Sequence, residues 1–444
     1  MTDLEVTKRG TIIDVNFPSQ RVYLRAERLR DGGEKFTTEL SVDAELSMNN
    51  AYNKVRLNRS NADMLNNNVK KSLIATLTEA TMDYPYIMWG NIINEGFEAI
   101  MDKHREGVPA TQMSVLDEHY PRSYALFPFF TKGVANLVWA PGGSGKSYLA
   151  LLTSVLVDRG MSALGLRAPK GNVLYLDWEE EENVFKQRLF AVQKGLGVGN
   201  PETSGIWYKR MAGTLANNIE AISRVVVDNN ITYVVIDSVN PALGGKSNDS
   251  DAVEDYFDAL RILEVTSVSI DHANKMGETT GKYQIYGSSF KQARARQMYE
   301  VTKMQESDSG ELKVVMHHRK ANDFGTIGPR GFTINFEMVD KYNSLEDDYE
   351  KQLDVVRFDT LGLGDDSGNL LRGEGVTTIC YQLVKAHGTM EVEELRSRVS
   401  TIKDNDVTLD AIELAVQNSN MLKLNEEAGT VGLAQEEKQW EVQK

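Results

Sequence analysis

Cysteine is almost missing from this sequence. Cys380 stands alone, which excludes an internal disulfide and a cysteine-built metal site. Its neighbours, TTICYQLVK, read as one helix, so the thiol is expected to be packed rather than nucleophilic. Histidine is scarce as well: the six are scattered, and His317 and His318 are adjacent rather than at metal-ligand spacing, so no structural metal is expected. No apolar run reaches the roughly 18–20 residues of a membrane helix. The opening MTDLEVTKRG has no apolar signal-peptide core. A cytoplasmic protein without membrane contact is the expectation. Positive charge is in deficit, with 49 Lys and Arg against 64 Asp and Glu and a net charge of −15. That argues against broad, nonspecific coating of nucleic acid, though not against a local basic channel.

What is present is an ordinary globular composition, 41% apolar and 25% charged, over a length that suggests two or three domains. Residues 1–60 alternate in strand fashion (GTIIDVNF, RVYLRAERLR, KFTTELSVDAEL), broken by Pro18 and the Asp31-Gly32-Gly33 turn. A helical pattern follows to about Lys103, with Ser60 or Asn61 as its cap. Together these predict an α+β unit over 1–108 of unreadable role. VPATQMSVLDEHYPRS reads as a linker. Over 125–362, apolar strands alternate with amphipathic helices, which predicts a mainly parallel sheet flanked by helices. The late strands follow one another closely, so the sheet is expected to end antiparallel. NSLEDDYEK, residues 343–351, reads as an acidic linker before the last strand. Over 373–434, three helices and a hairpin follow in winged-helix order.

The densest signal is NLVWAPGGSGKSYLALL, residues 136–152. An apolar strand enters a glycine turn, and Lys146 and Ser147 leave it into a helix. This is the P-loop pattern with Ala140 in place of the first glycine. Pro141, Gly142, Gly143, Ser144, Gly145, Lys146, Ser147 and Tyr148 form the candidate phosphate cradle. Its backbone N–H groups and the helix N-terminus would face phosphate oxygens. Lys146 should reach the β- and γ-phosphates of ATP, and Ser147 should ligate Mg²⁺. A second carboxylate must help hold the metal, and YVVIDS ends an apolar strand on Asp237. Hydrolysis also needs a base or water-positioner. NVLYLDWEEEENVFKQRL, read as a strand beside the first, offers Asp177, Glu179 and Glu180, of which the last also suits an acidic first helical turn.

At these residues the chain resembles RecA-like ATPases, in particular the RepA-type hexameric replicative helicases of phage and plasmid type, over roughly 125–340. The resemblance places the catalytic glutamate on Glu179 of VLYLDWE and an arginine on Arg188. Ser238 follows Asp237, so the acidic pair typical of AAA+ motors is absent. VSIDHANK matches a strand ending in two histidines and a lysine, with Asp271 in the first place, which leaves His272 as γ-phosphate sensor and Lys275 behind it. Gly287-Ser288-Ser289 with Arg294 and Arg296, and HRKANDFG with Arg319 and Lys320, resemble segments facing a neighbouring subunit. Arg296, Arg319 and Lys320 are therefore the candidate trans fingers.

The resemblance implies an ATP-hydrolysing DNA motor in a bacterial or phage-infected cell: a homo-oligomeric, hexameric ring that translocates on single-stranded DNA as a replicative helicase, with replication proteins as further partners. Loops 244–251 (Lys246) and 275–287 (Lys282, Tyr283, Tyr286) are the candidate DNA contacts, since lysine with aromatics suits phosphate contact and base stacking. Two other readings stay open. One is a RecA-like recombination or helicase-loading ATPase that does not unwind. The other is a nucleotide-dependent regulatory or scaffold ATPase without DNA. The would-be recognition helix, TLDAIELAVQNSN, carries Asp410 and Glu413 and no Lys or Arg, which favours protein contact over DNA reading.

Overall fold

The computed structural model describes residues 3–48, 51–108, 110, 112, 122–198, 204–273, 285, 289–304, 311–323, 325–343, 348–361, 371, 374–419 and 421–434. At its centre is a nine-stranded sheet. Its order is Ile206–Arg210, Asn172–Asp177, Ile231–Asp237, Thr266–His272, Ala135–Ala140, Gln297–Lys303, Glu311–Ala321, Arg330–Asn343, Asp348–Leu361. The first six are parallel and the last three join antiparallel. The predicted mixed sheet is thus present, with two strands the sequence reading passed over, Ile206–Arg210 and Gln297–Lys303.

The period-two rule explains how helices cover both faces. In the parallel strands, Val173, Tyr175, Val235, Val268, Ile270 and Val138 point to one side, into a core with Leu149, Leu152, Leu156 and Phe185. Their neighbours Leu174, Leu176, Val234, Ile236 and Leu137 point to the other, against Ile222, Val226, Tyr256 and Leu260. The helix Lys146–Arg159 is buried nearly all round, as its unbroken apolar sequence requires. One expectation fails: Asn172–Asp177 is not beside Ala135–Ala140, because Ile231–Asp237 and Thr266–His272 lie between them.

The antiparallel end of the sheet wraps back over the first face. Phe332, Ile334, Val356 and Phe358 join the same core as Leu149 and Phe185. Helix Glu182–Gly195 packs so closely that a Cβ on Gly195 would lie 1.8 Å from the Val356 carbonyl oxygen, and Lys194 pairs with Asp354 at 2.7 Å. The predicted linker at 343–351 is corrected here. Asn343 and Asp348 are paired residues of one long hairpin, with Lys341 opposite Glu350; charge alone made this stretch look like a connector.

The N-terminal unit is an antiparallel meander of five strands, Glu5–Arg9 through Ala51–Asp63, backed by helices Asn67–Ala80 and Trp89–Glu106. Ser60 and Asn61 lie inside the last strand rather than capping a helix. The cap is Asn66, whose side chain accepts from the Asn68 and Val69 N–H groups. At the other end, helices Val376–His387, Val392–Lys403 and Leu409–Gln417 and a small three-stranded sheet stand in the predicted winged-helix order. Cys380 is buried, and burial pushes its thiol up to about 12. Among the described residues no helix is long and apolar enough to cross a membrane.

The N-terminal meander docks on helix Ile219–Asp228 through charge. Arg224 donates to both carboxylate oxygens of buried Glu27, at 2.6 and 2.8 Å. Arg224→Ala would leave that carboxylate without its guanidinium, at a cost of about 1–3 kcal/mol. We expect a lower thermal midpoint in the full chain, and a smaller loss for Glu27→Gln, which keeps an acceptor.

Candidate active site

The cradle follows from where the sheet puts its strand ends. Strand Ala135–Ala140 stops at the glycine turn, and Gly145, at φ +74°, caps helix Lys146–Arg159. Gly143 is also left-handed, at φ +67°, and nothing lies within 4 Å of where its Cβ would be, so the turn is open toward solvent. Gly145 is different: a Cβ there would meet Leu312 at 2.8 Å, from the antiparallel end of the sheet. Lys146 folds over the loop, donating to the Ala140 and Pro141 carbonyls at 3.0 and 2.8 Å, and Ser144 donates to Pro141 O at 2.7 Å. Burial lowers the Lys146 pKa, against the pull of Asp237, Glu179 and Asp271.

Asp237 ends the buried strand Ile231–Asp237. Burial pushes its carboxyl up to about 6, while hydrogen bonds from Tyr175 and Ser147 work the other way. The Tyr175 hydroxyl donates to Asp237 Oδ2 at 2.7 Å. A buried carboxylate contacted by the hydroxyl of Ser147 beside an open glycine turn is the donor set a nucleotide-bound divalent ion requires. Among the described residues no cluster of three or more His, Cys, Asp or Glu forms a self-sufficient metal site, so the remaining ligands would come from phosphate and water.

Glu179 stands just past strand Asn172–Asp177. Asp177 does not face the cleft as a base. It is buried, and its Oδ1 accepts the N–H groups of Glu179 and Glu180 at 2.9 and 3.0 Å, which fixes the turn that presents Glu179. Glu180 is turned to Arg188 at 3.0 Å. The Glu179 carboxylate accepts from Ser238 and lies 3.3 Å from His272 Nε2. The hydrogen bond with His272 first, and the one from Ser238, hold the Glu179 carboxyl below its ordinary range despite burial. His272 arrives on the neighbour of the cradle strand, directly opposite Ala140 in register.

These residues line one cleft of about 610 Å³: Gly142 to Tyr148, Glu179, Arg188, Asp237 and His272. Lys303, Glu311, Leu312 and Phe336 complete it, and the sequence reading missed all four. They sit far along the chain, Lys303 on the parallel strand beside the cradle strand and the others on strands that join antiparallel, so no local pattern marks them. Tyr148 meets Phe336 edge-on at 4.9 Å between ring centroids. A slightly larger cavity, about 640 Å³, separates the sheet from the C-terminal helices and holds none of the cradle residues.

The candidate fingers are not in this cleft. Gln297 pairs with Asn136 and Met298 with Lys320, so these residues lie toward the opposite edge of the sheet from the cradle. Arg319 is held by Glu300 and Glu374 at 2.7 and 2.9 Å. Lys320 donates to the Gln292, Ala293 and Ala295 carbonyls, closing the end of the short helix Ser289–Arg294. Arg296 is 55% exposed, with Asp323 at 3.4 Å. Within loop 244–251, Lys246 is exposed and Ser247 buried. Lys275, Lys282, Tyr283, Tyr286, Gly287 and Ser288 lie outside the described residues.

A family model described as an AAA domain matches residues 104–278, which takes in the cradle, Glu179, Asp237 and His272. No curated protein matches the chain. Among solved structures, a KaiC-like protein from the hyperthermophilic archaeon Pyrococcus horikoshii is similar at 15% identity, over 52% of this chain and 98% of its own, with a TM-score of 0.34. The RadB recombinase is similar at 20% identity, over 45% of this chain and 86% of its own, with a TM-score of 0.35. With the cradle strand between Thr266–His272 and Gln297–Lys303, the central domain has the RecA-like P-loop ATPase fold, a mostly parallel sheet flanked by helices.

Asp237 gives a test that needs no nucleotide. Its folded pKa, about 6, lies above the ordinary aspartate value of 3.8. The folded state therefore binds the extra proton between those values, and stability on this account falls as pH rises through about 6. Asp237→Asn removes the buried charge. We expect it to melt higher than wild type at pH 8, by up to about 3 kcal/mol, with the gap closing as pH falls toward 4.

Proposed function

We propose that the chain binds ATP with Mg²⁺ and hydrolyses it, and that it uses the cycle as a ring-forming motor on single-stranded DNA, in the manner of a replicative helicase. The observation that carries the ATPase reading is convergence. A cradle lysine, a buried metal-type carboxylate and a carboxylate–histidine pair meet in one cleft from four separate strands. In this reading Lys146 and the loop amides hold the phosphates, and Ser147 and Asp237 hold the ion, which neutralises charge on the phosphates. Glu179, ionised and aimed by Asp177, Ser238 and His272, orients and deprotonates the attacking water. His272, 3.3 Å from Glu179, is in this reading the sensor of the γ-phosphate.

Oligomerisation enters through Arg296, Arg319 and Lys320. From the opposite edge of the sheet, they serve a cleft only if it belongs to another copy. Arg296, exposed and weakly paired, is the best placed of the three. The DNA part rests on the resemblance and on the exposed Lys246, which follows Asp237 at the cradle edge. One observation favours the scaffold alternative: helix Leu409–Gln417 has no cation and leaves Leu414 57% exposed, a surface suited to protein.

Lys146→Ala should abolish nucleotide binding or turnover. Glu179→Gln should keep binding while turnover falls about 100-fold or more; unchanged turnover would remove Glu179 as the base. ATPase rates with and without single-stranded DNA, beside a forked-duplex unwinding assay, separate the motor from the other two readings. A motor requires both stimulation and strand separation. Lack of any DNA effect leaves the scaffold reading. Mixing Arg296→Ala with Lys146→Ala subunits should recover turnover that neither has alone.

A further inference from the structure

Strand Thr266–His272 ends in Asp271-His272, where the resembled family has two histidines. Asp271 is fully buried, and its charge is met by a residue twenty positions on. Lys291 Nζ lies 2.7 Å from Asp271 Oδ2, and the two side chains are 1% and 0% exposed. The other carboxylate oxygen accepts the backbone N–H of His272 at 2.8 Å. One carboxylate thus grips Lys291 on one side and, on the other, the backbone of the residue whose ring faces Glu179.

Lys291 reaches further. Its Nζ lies 3.4 Å from Ser247 Oγ, which is buried and donates to Asn240 Oδ1 at 2.5 Å. Asn240 and Ser247 belong to the segment that leaves the Asp237 strand, and Lys291 belongs to the short helix Ser289–Arg294. Three segments therefore meet on one ammonium group: the end of the sensor strand, the loop carrying Lys246, and the helix before strand Gln297–Lys303. A buried ion pair is a poor source of net stability, since two apolar side chains of similar size do as well or better. Its geometric effect is different, because a charge in a low-dielectric site tolerates little displacement of its partner.

We propose that Lys291 and Asp271 are positioning residues for hydrolysis, through which the 240–247 loop and helix Ser289–Arg294 set the placement of His272 against Glu179. The inference rests on the ATPase reading of that cleft and adds the route by which a ligand on the loops would act on it. A contact that pulled Ser247 or the helix would move Lys291, then Asp271, then the backbone of His272.

The test uses the full chain with three variants: Lys291→Met, Asp271→Asn and the apolar pair Asp271→Leu/Lys291→Met. Thermal midpoint, affinity for a fluorescent ATP analogue, kcat for ATP and the imidazole NMR signal of His272 are read for each. Histidine is labelled at Cε1, and the His272 signal is assigned with His272→Gln. Lys291→Met should lower the midpoint and cut kcat at least tenfold, with nucleotide affinity within threefold of wild type. The apolar pair should recover the midpoint but not kcat, and its His272 signal should stay displaced. Asp271→Asn, nearly isosteric, should keep the fold, lose kcat to a similar degree and move the same signal. Wild-type kcat with an unmoved His272 signal in either Asp271→Asn or the apolar pair would overturn the proposal. Loss of kcat in step with the midpoint alone, restored with it in the apolar pair, would likewise reduce Lys291 to packing. If Lys146→Ala leaves turnover intact, the ATPase reading fails instead, and the His272 signal still decides the positioning claim.

Discussion

The cleft depends on keeping four carboxylates near the Lys146 ammonium. Parallel strands bring Asp177, Glu179, Asp237 and Asp271 to the same edge of the sheet, and four like charges there repel one another and Lys146 alone cannot offset them. Each is handled differently. Asp177 spends its oxygen on two backbone N–H groups. Asp237 stays buried, where its proton is held more tightly than usual, and takes a hydroxyl from Tyr175. Glu179 is kept ionised by His272 and Ser238. Asp271 has a lysine of its own. In the proposed ATPase reading the differences separate the roles, an ionised Glu179 to activate water and a buried Asp237 to help hold the ion.

The flanking units are tied to this core by the same device, a carboxylate placed under cover. Glu27 anchors the N-terminal meander to Arg224. Glu374 anchors the C-terminal unit: it takes hydrogen bonds with His317 and Arg319, and its carbonyl accepts from Lys403. Burial alone would raise the Glu374 carboxyl, but His317 and Arg319 hold it below the usual range. Arg319 thus links the strand carrying Lys320 to the start of the C-terminal helical unit. Its guanidinium, engaged twice within its own chain, is less available for a neighbour's phosphate than that of Arg296.

Much of the cleft was legible because its signals are local. The glycine turn with Lys146 and Ser147 is eight residues long, Asp237 closes one apolar strand and Glu179 stands two residues past the end of another, so strand propensity and chemistry lie close together. What escaped was set by distant pairing. Leu312 and Phe336 become cleft walls only because the sheet curls, and nothing around them announces a ligand. Lys291 was passed over, while its partner Asp271 read as a departure from a histidine pair. Neither explains itself, but together they describe one contact. The hairpin at 330–361 was misread for a related reason: Asp348 and Glu350 carry linker-like charge, whereas the register sets Glu350 opposite Lys341 across a strand pair.

The acidic bulk charge acquires a location in this arrangement. Part of it lies on the long hairpin, with Asp340, Asp348, Glu350 and Asp354, and part on helix Leu409–Gln417, with Asp410 and Glu413. Lys246 is exposed at the cradle edge of the sheet. That edge is also where Ser247, one residue on, reaches Lys291 and so Asp271. A chain this acidic has little nonspecific affinity to offer DNA, and a narrow contact gives few phosphate neutralisations to hold it. Under the proposed motor reading, a narrow contact coupled through Lys291 and Asp271 to His272 and Glu179 would let a strand be gripped and released in step with the phosphate, and weak binding at each step would make release possible.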